Sequence, residues 1–451
     1  MTDMTSGKPV STVIRFAIPL MAASIIQQMY ALTDAMVLGI YGGNQSLAVL
    51  GVCSWPNWLQ VSTFSNMGQA ACLLAAVRFG SRNEKELKRA VGNIYYVSAI
   101  LAIILVPGFQ IAIEPFLRLQ NTPAVIFEDA AAYLRIVFLG TFFFIIYSTL
   151  SSLLRAVGDS MTSFVAIFVS VLLNIVIDLV LVAGLGMGVR GAAVATALSQ
   201  MLSALVCIWR IRRYPVLCFD KAFFHLDRML LKEYAGTCLP MMAQSMVIAA
   251  GGTFVQYHVN YYGIEFAAGV SAANKVFVLV ETGAIALASA GASFVSQNVG
   301  AGKFKRIWKA AGQIVGISLL MAAATGVFLQ LAGNFILSFF AEGKAINYGM
   351  EYLKVYSFGI LIMYPMYLLR QVLQALGNVK IPLVAAVLQL VMRFVTAGGL
   401  TKLIGCAGIY FTNVAAWAVS LLLIGVIYPF QFNQCKRKML GQSSNIYKNK
   451  I

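Results

Sequence analysis

The chain has 451 residues, 60% of them apolar and only 11% charged, and 33 Lys and Arg against 16 Asp and Glu give a net charge of +17. Its mean hydropathy of +0.81 leaves too few polar groups to clothe one soluble core, which excludes a soluble globular chain and equally a disordered or collagen-like one. Twelve spans of ~22 residues would use ~264 positions, close to the apolar total, so the composition predicts an all-α polytopic membrane protein.

Apolar runs fall at 13–40, 46–77, 91–113, 130–154, 162–184 and 189–209, then at 236–260, 266–299, 310–332, 350–373, 380–400 and 407–430. Each is long enough to cross as a helix, with tilt where it is longest, and all are too long for barrel strands. The first run is also too long for the apolar region of a cleavable leader, so none is expected. Seven cysteines lie scattered without C-x-x-C or metal spacing; they read as small hydrophobes, with no disulfide framework.

With the N-terminus inside, 25 of the Lys and Arg fall on inner segments, including Arg78, Arg82, Lys85, Lys88 and Arg89 after span 2 and Lys303, Lys305, Arg306 and Lys309 after span 8. The outer loops hold only Arg118, Arg190, Lys344 and Lys402. This asymmetry predicts a multi-pass cell-membrane protein with both termini cytoplasmic. It makes the +17 an orientation signal, and no nucleic acid is expected as a partner.

The two sets of six runs are copies. Pro19 and Gly42 recur as Pro240 and Gly263; Gly80 to Gly92 recurs as Gly300 to Gly312; Tyr133, Gly140 and Gly158-Asp159 recur as Tyr352, Gly359 and Gly377-Asn378; Gly191 matches Gly408. The offset drifts slowly from 221 to 217. Six spans per copy is even, so both copies share one orientation, related by a pseudo-two-fold axis along the membrane normal, as in some secondary transporters. The expected domains are a six-helix lobe over 1–209, a cytoplasmic linker over 210–235, a second six-helix lobe over 236–430 and a basic tail over 431–451. The linker reads as a basic amphipathic surface segment, with Phe223, Phe224, Leu226, Met229 and Leu230 opposite its charges.

Of the sixteen acidic residues, only Asp34, Asp178 and Glu281 fall well inside spans, where an ionisable group is costly and points to function. Asp34 and Asp178 each lie six residues before the outer end of their span, and Thr196 enters from outside to the same depth. Gln27, Tyr30 and Asp34 share one helix face, as do Ser170, Asn174 and Asp178, and again Thr196, Ser199, Gln200 and Ser203. Two carboxylates, an amide oxygen and a hydroxyl at one level suit a proton or Na⁺, and close carboxylates would titrate as a pair. The competing reading is helix–helix hydrogen bonding with permanently protonated aspartates.

The second copy has no matching acids: Ala397 stands opposite Asp178, and Arg393 opposite Asn174. A structural ion pair of Glu281 with Lys275 or Arg393 is the preferred reading there, a substrate contact or second proton site the other. Pro19 and Pro240 each remove a backbone hydrogen bond, so a bend is expected; a static kink is the preferred reading, with Pro19 the candidate for a hinge that responds to Asp34. Lipid-facing and core packing accounts for most of the 19 Met and 29 Phe. Gly184-Leu185-Gly186-Met187-Gly188 lacks the G-K-[ST] of a phosphate loop. His225 and His258 read as satisfied polar residues, so a membrane-embedded enzyme is not expected.

Pro19, Gln28, Tyr30, Asp34 and Gly39, followed by Gly42-Gly43 and Leu47-Ala48, resemble the first helix of multidrug and toxic compound extrusion (MATE) transporters. Asn174-x-x-x-Asp178, Gly188-x-x-Gly191-Ala192-Ala193 and Gln297-Asn298-x-Gly300-Ala301-Gly302 resemble the same family, and the likeness runs from about 13 to 430. It implies a V-shaped pair of six-helix lobes, working without a cofactor as a monomer among membrane lipids. It further implies export of drug-like organic cations or amphiphiles against H⁺ or Na⁺ by alternating access, with the ion at Asp34, Asn174, Asp178 and Thr196. The acids one branch carries in the second lobe are replaced here, for instance by Gln371 and Tyr364. A flippase for lipid-linked saccharides is the alternative; it would favour a cationic cavity, for which Lys275 and Arg393 are the support.

Overall fold

The computed structural model describes residues 3–120, 122–220, 226–340 and 342–448. Among them the chain is helical, and twelve long helices are numbered here in chain order. The first copy comprises α1 (Pro9–Gly43), α2 (44–80), α3 (Glu84–Leu119), α4 (Ala124–Ala156), α5 (Met161–Gly184) and α6 (Gly188–Ile211). The second comprises α7 (Arg228–Tyr261), α8 (Ile264–Gly300), α9 (Phe304–Leu337), α10 (Lys344–Ala375), α11 (Lys380–Ile404) and α12 (Ala407–Lys438). Eleven of these are long and apolar enough to span a membrane. The exception is α2, where Gln60, Thr63, Ser65, Asn66 and Gln69 dilute the apolar run. Two of them, Gln60 and Thr63, are buried, and Gln60 donates to Thr141 Oγ1 at 2.7 Å on α4. Large side chains such as Ile103 (72% exposed) and Leu331 (82%) face outward, the surface expected when lipid rather than water is the solvent.

The chain forms two compact units. One contains Ile18–Cys238, the other Met4–Ala17 with the described part of Leu239–Ile451. The chain passes between units immediately before Pro19 and again immediately before Pro240. At Pro19 the backbone stays helical; the break in the first two spans is at Gly43, with φ 70° and ψ −171°. Gly263, its counterpart between α7 and α8, has φ 95°. Both positions need a residue without Cβ, so the glycines in the sequence mark true helix boundaries.

Other punctuation repeats as well. A π-type turn, Leu179–Gly184, follows Asp178 directly, and a second, Thr396–Leu400, sits at the matching place in α11. Asp159 accepts from Thr162 N at 3.0 Å and caps α5; Asn378 accepts from Ile381 N at 3.1 Å and caps α11. Each cap satisfies a backbone donor that a helix start otherwise leaves open.

The expected linker is shorter than read from composition. Helix α6 continues to Ile211, Tyr214 N bonds back to Ile211 O at 2.8 Å, and α7 already begins at Arg228. Leu230 is buried while Met229 is 79% exposed; Phe223, Phe224 and His225 lie outside the described residues. Asp227 pairs with Arg89 at 2.7 Å and Glu233 with Arg78 at 2.6 Å, all four within the first unit. Among the described residues no disulfide joins any of the seven cysteines.

Candidate functional site

The three polar stripes read from the sequence converge on one cavity of about 300 Å³ within the first unit. Gln27, Tyr30 and Asp34 reach it from α1, Ser170 from α5, and Thr196, Ser199, Gln200 and Ser203 from α6. Their arrival follows from helical periodicity: a stripe at i, i+3 or i+4 presents one face, and in an apolar helix that face turns away from lipid. Tyr30 Oη and Thr196 Oγ1 lie 2.7 Å apart and join α1 to α6. Ser170 Oγ donates to Ser199 O at 2.6 Å, and Ser203 Oγ to Ala166 O at 3.3 Å, so α5 and α6 are pinned at the same face.

Asn174 and Asp178 are fully buried and do not line the cavity; they stand behind Asp34. With its nitrogen turned to the carboxylates, Asn174 Nδ2 donates to Asp34 Oδ1 at 3.0 Å and to Asp178 Oδ2 at 3.1 Å. One amide bridging two carboxyl groups brings Asp34 and Asp178 close enough to interact directly. Two adjacent negative charges in these surroundings are unfavourable without a compensating positive charge. Asp178 Oδ1, Ser199 Oγ and Gln200 Oε1 are buried without a protein hydrogen-bond partner. Thr196 connects to Asp34 by way of Tyr30, whose ring lies close to Asp34.

Sequence reasoning missed the contribution of α2 and α4. Ser54, Asn57, Tyr133, Phe144 and Tyr147 also line the cavity. Asn57 is polar within an apolar span, a signal that was present; the aromatic residues carried none, because a Tyr or Phe in a membrane helix is ordinary. No Met lines the cavity.

Glu281 and Arg393 belong to the second unit and do not line this cavity. The expected ion pair of Glu281 is not formed among the described residues. Glu281 Oε1 instead accepts from Tyr367 Oη, Arg393 donates to Ile248 O at 2.8 Å, and Lys275 Nζ sits 5.2 Å from the centre of the Phe340 ring. Three potential partners took neutral or aromatic contacts, which avoids the cost of bringing two desolvated charges together. His258 Nδ1 contacts Phe254 O at 3.1 Å, an ordinary satisfied polar side chain. Among the described residues no cluster of three or more His, Cys, Asp or Glu could hold a metal ion.

Asp159, between α4 and α5, forms a further charged network of this unit. It accepts from Arg210 Nε at 3.0 Å and Tyr214 Oη at 2.8 Å besides capping Thr162. Burial alone would raise its pKa, but the hydrogen bonds from Thr162, Tyr214 and Arg210 outweigh it and hold the carboxyl below its ordinary 3.8.

The sequence profile of the MatE family matches residues 19–180 and 240–397, one stretch in each copy. The chain is 27% identical over 430 residues to "Probable multidrug resistance protein YoeA" of Bacillus subtilis, covering 92% of each protein. It is 23% identical over 347 residues to "Probable multidrug resistance protein NorM" of Thermotoga maritima, covering 74% of this chain and 72% of that one. Its fold is similar to that in "Crystal structure of MATE in the bent conformation", with a TM-score of 0.90 at 20% identity over 97% of this chain and 99% of that chain. With two matched stretches that together span most of the chain, a helical fold shared from end to end and spans in the number the family uses, this chain belongs to the MatE family and is a multi-pass membrane transporter.

Proposed function

We propose that this transporter exports amphiphilic or cationic organic compounds in exchange for H⁺ or Na⁺ by alternating access, from a cell membrane with both termini in the cytoplasm. One observation carries the reading. Asp34 faces the cavity and, through Asn174, also belongs to the buried pair with Asp178. A single carboxylate therefore serves both the substrate space and the ion pocket. Charge added at the pair, by a proton or by Na⁺, changes what the cavity attracts, so ion and substrate bind at each other's expense. The volume is at the small end of drug-sized sites, and the rings of Tyr30, Tyr133, Phe144 and Tyr147 suit an organic cation.

A proton would be held by the carboxyl pair with Asn174 Nδ2 facing it, and Na⁺ by the same carboxyls with the amide oxygen facing them. Asn174, Asp178 and Thr196 are the proposed partners of Asp34 at the ion site; Gln27, Tyr30, Ser170, Ser199 and Gln200 are proposed substrate contacts. The flippase reading is not favoured, because Lys275 and Arg393 are held elsewhere and this cavity has no cationic lining.

The test is Asp34→Asn expressed in a drug-sensitive host. Resistance is expected to vanish while the protein reaches the membrane at wild-type level; full resistance at equal expression contradicts the coupling role. Reconstituted vesicles given a pH gradient or a Na⁺ gradient separately identify the ion.

A further inference from the structure

A second built feature lies in the second unit, apart from the proposed site. Residues 4–7 fold back on the junction between α8 and α9. Met4 N donates to Gln297 Oε1 at 3.0 Å, and Asn298 Nδ2 donates to Met4 O at 3.0 Å. Lys303 Nζ donates to Thr5 O at 2.8 Å, and Arg306 donates to Gly7 O and Ser6 O, both at 2.6 Å. Met4 and Thr5 are buried by this clamp. Its effect is to set Lys8, just before α1, against the first turns of α9.

There Lys8, Pro9 and Val10 face Lys305, Arg306, Lys309 and Gln313 across a cleft of about 520 Å³. Lys305, Lys309 and Gln313 follow i, i+4, i+8 and so form one stripe of α9. Among the described residues no carboxylate lines the cleft. Lys8, Lys305 and Lys309 make no ion pair among the described residues. The start of α9, the positive end of its dipole, has no side-chain cap. Like charges gathered this way repel unless an anion sits among them. Two neighbours place the cleft at a membrane boundary. Pro9 and Val10 give it an apolar side, and Trp308, 53% exposed on the same helix turn, stacks on Tyr428 with centroids 6.1 Å apart. Indole rings favour that level of a bilayer.

We propose that this cleft binds the phosphodiester headgroup of an anionic phospholipid in the leaflet on the side of the basic loops. The phosphate sits among Lys8, Lys305 and Lys309, and the acyl chains run down the lipid-facing side of α9 and of the Pro9–Ala17 stretch that packs in the same unit. Loop basicity alone attracts anionic lipid diffusely; the clamp makes a defined site of it.

The experiment is native mass spectrometry of the full chain in detergent, titrated with phosphatidylglycerol or phosphatidylcholine. Retention of phosphatidylglycerol over phosphatidylcholine is expected, and K8Q/K305Q/K309Q should weaken it about a hundredfold. R212Q/R213Q/K232Q removes the same charge elsewhere and should change it by about twofold at most. An equal loss in both triple variants overturns the proposal, since it means diffuse attraction. Displacement of the lipid by equimolar inorganic phosphate also overturns it, since the site then takes the free anion. If the first triple variant does not fold, K309Q alone is read by thermal shift: loss of stabilisation by phosphatidylglycerol supports the site, and unchanged stabilisation overturns it.

Discussion

The two copies share their backbone punctuation and differ in what fills them. Carried along each helix at its own offset, Tyr30, Asp34 and Asn57 of the first copy correspond to Gly251, Val255 and Phe277 of the second. Asn174, Asp178, Thr196 and Gln200 correspond to Arg393, Ala397, Asn413 and Trp417. The first set surrounds a polar cavity. In the second, Phe277 stacks on Trp417 with centroids 5.5 Å apart, Tyr356 packs edge-on to both, and Asn413 donates to Tyr356 Oη. Arg393 occupies the room left by Gly251, where a Cβ would lie 2.9 Å from the guanidinium. Aromatic packing adds area burial that a polar cavity forgoes. The two copies thus share a frame, while one interior holds a polar cavity beside buried carboxyl groups and the other is filled by aromatic side chains.

The largest expected effect comes from removing the charge that distinguishes the copies. Asp34→Asn should abolish gradient-driven export, a loss of at least about a hundredfold in transport rate, because its coupling step has no substitute in the second copy. Asp178→Asn should do nearly as much if the pair works as a unit, and transport by that variant at more than a tenth of the wild-type rate would show that Asp34 acts alone.

Converting a paired cap into its counterpart comes next. Asp159→Asn makes the first copy resemble Asn378, keeps the Thr162 cap and leaves Arg210 without its anion. Melting in detergent should show a loss of about 1–3 kcal/mol. Because the native carboxyl is held below its ordinary value, its stabilisation is complete above pH 3.8 and is lost as pH falls through the lower, folded pKa. Wild type should therefore destabilise in that acid range more steeply than Asp159→Asn, and parallel pH profiles would contradict the network.

Filling the room beside Arg393 should cost less. Gly251→Ala is expected to lower stability by about 1–2 kcal/mol with substrate affinity unchanged; a shift in affinity without loss of stability would place Arg393 in the transport path. The smallest effect is expected for Glu281→Gln, which keeps an acceptor for Tyr367. Resistance should stay within about twofold of wild type, and a loss like that of Asp34→Asn would mean a second coupling site.

Much of this was legible in the sequence. Helix number, the duplication and the breaks at Gly43 and Gly263 follow from apolar run length and from glycine positions that geometry demands. The stripes on α1, α5 and α6 were readable because a polar residue in a membrane span has few cheap places to face. The walls contributed by Tyr133, Phe144 and Tyr147 were not, since such residues serve equally well against lipid, in a core or in a cavity. Nor was the fate of Glu281, because the choice between Lys275, Arg393 and Tyr367 depends on distances set by packing. The position of residues 4–7 was hidden for a similar reason: their anchors, Gln297, Asn298 and Arg306, lie about 300 residues away in sequence.

The central claim is that the Asp34–Asp178 pair and the cavity exchange ion for substrate. Its most direct test is to add ethidium, as a probe organic cation, to the purified protein in weakly buffered solution and measure ions released. Wild type should release H⁺, or Na⁺ when loaded with it, in step with ethidium bound, and Asp34→Asn should bind without release. Saturable binding to wild type with no ion released would contradict the account.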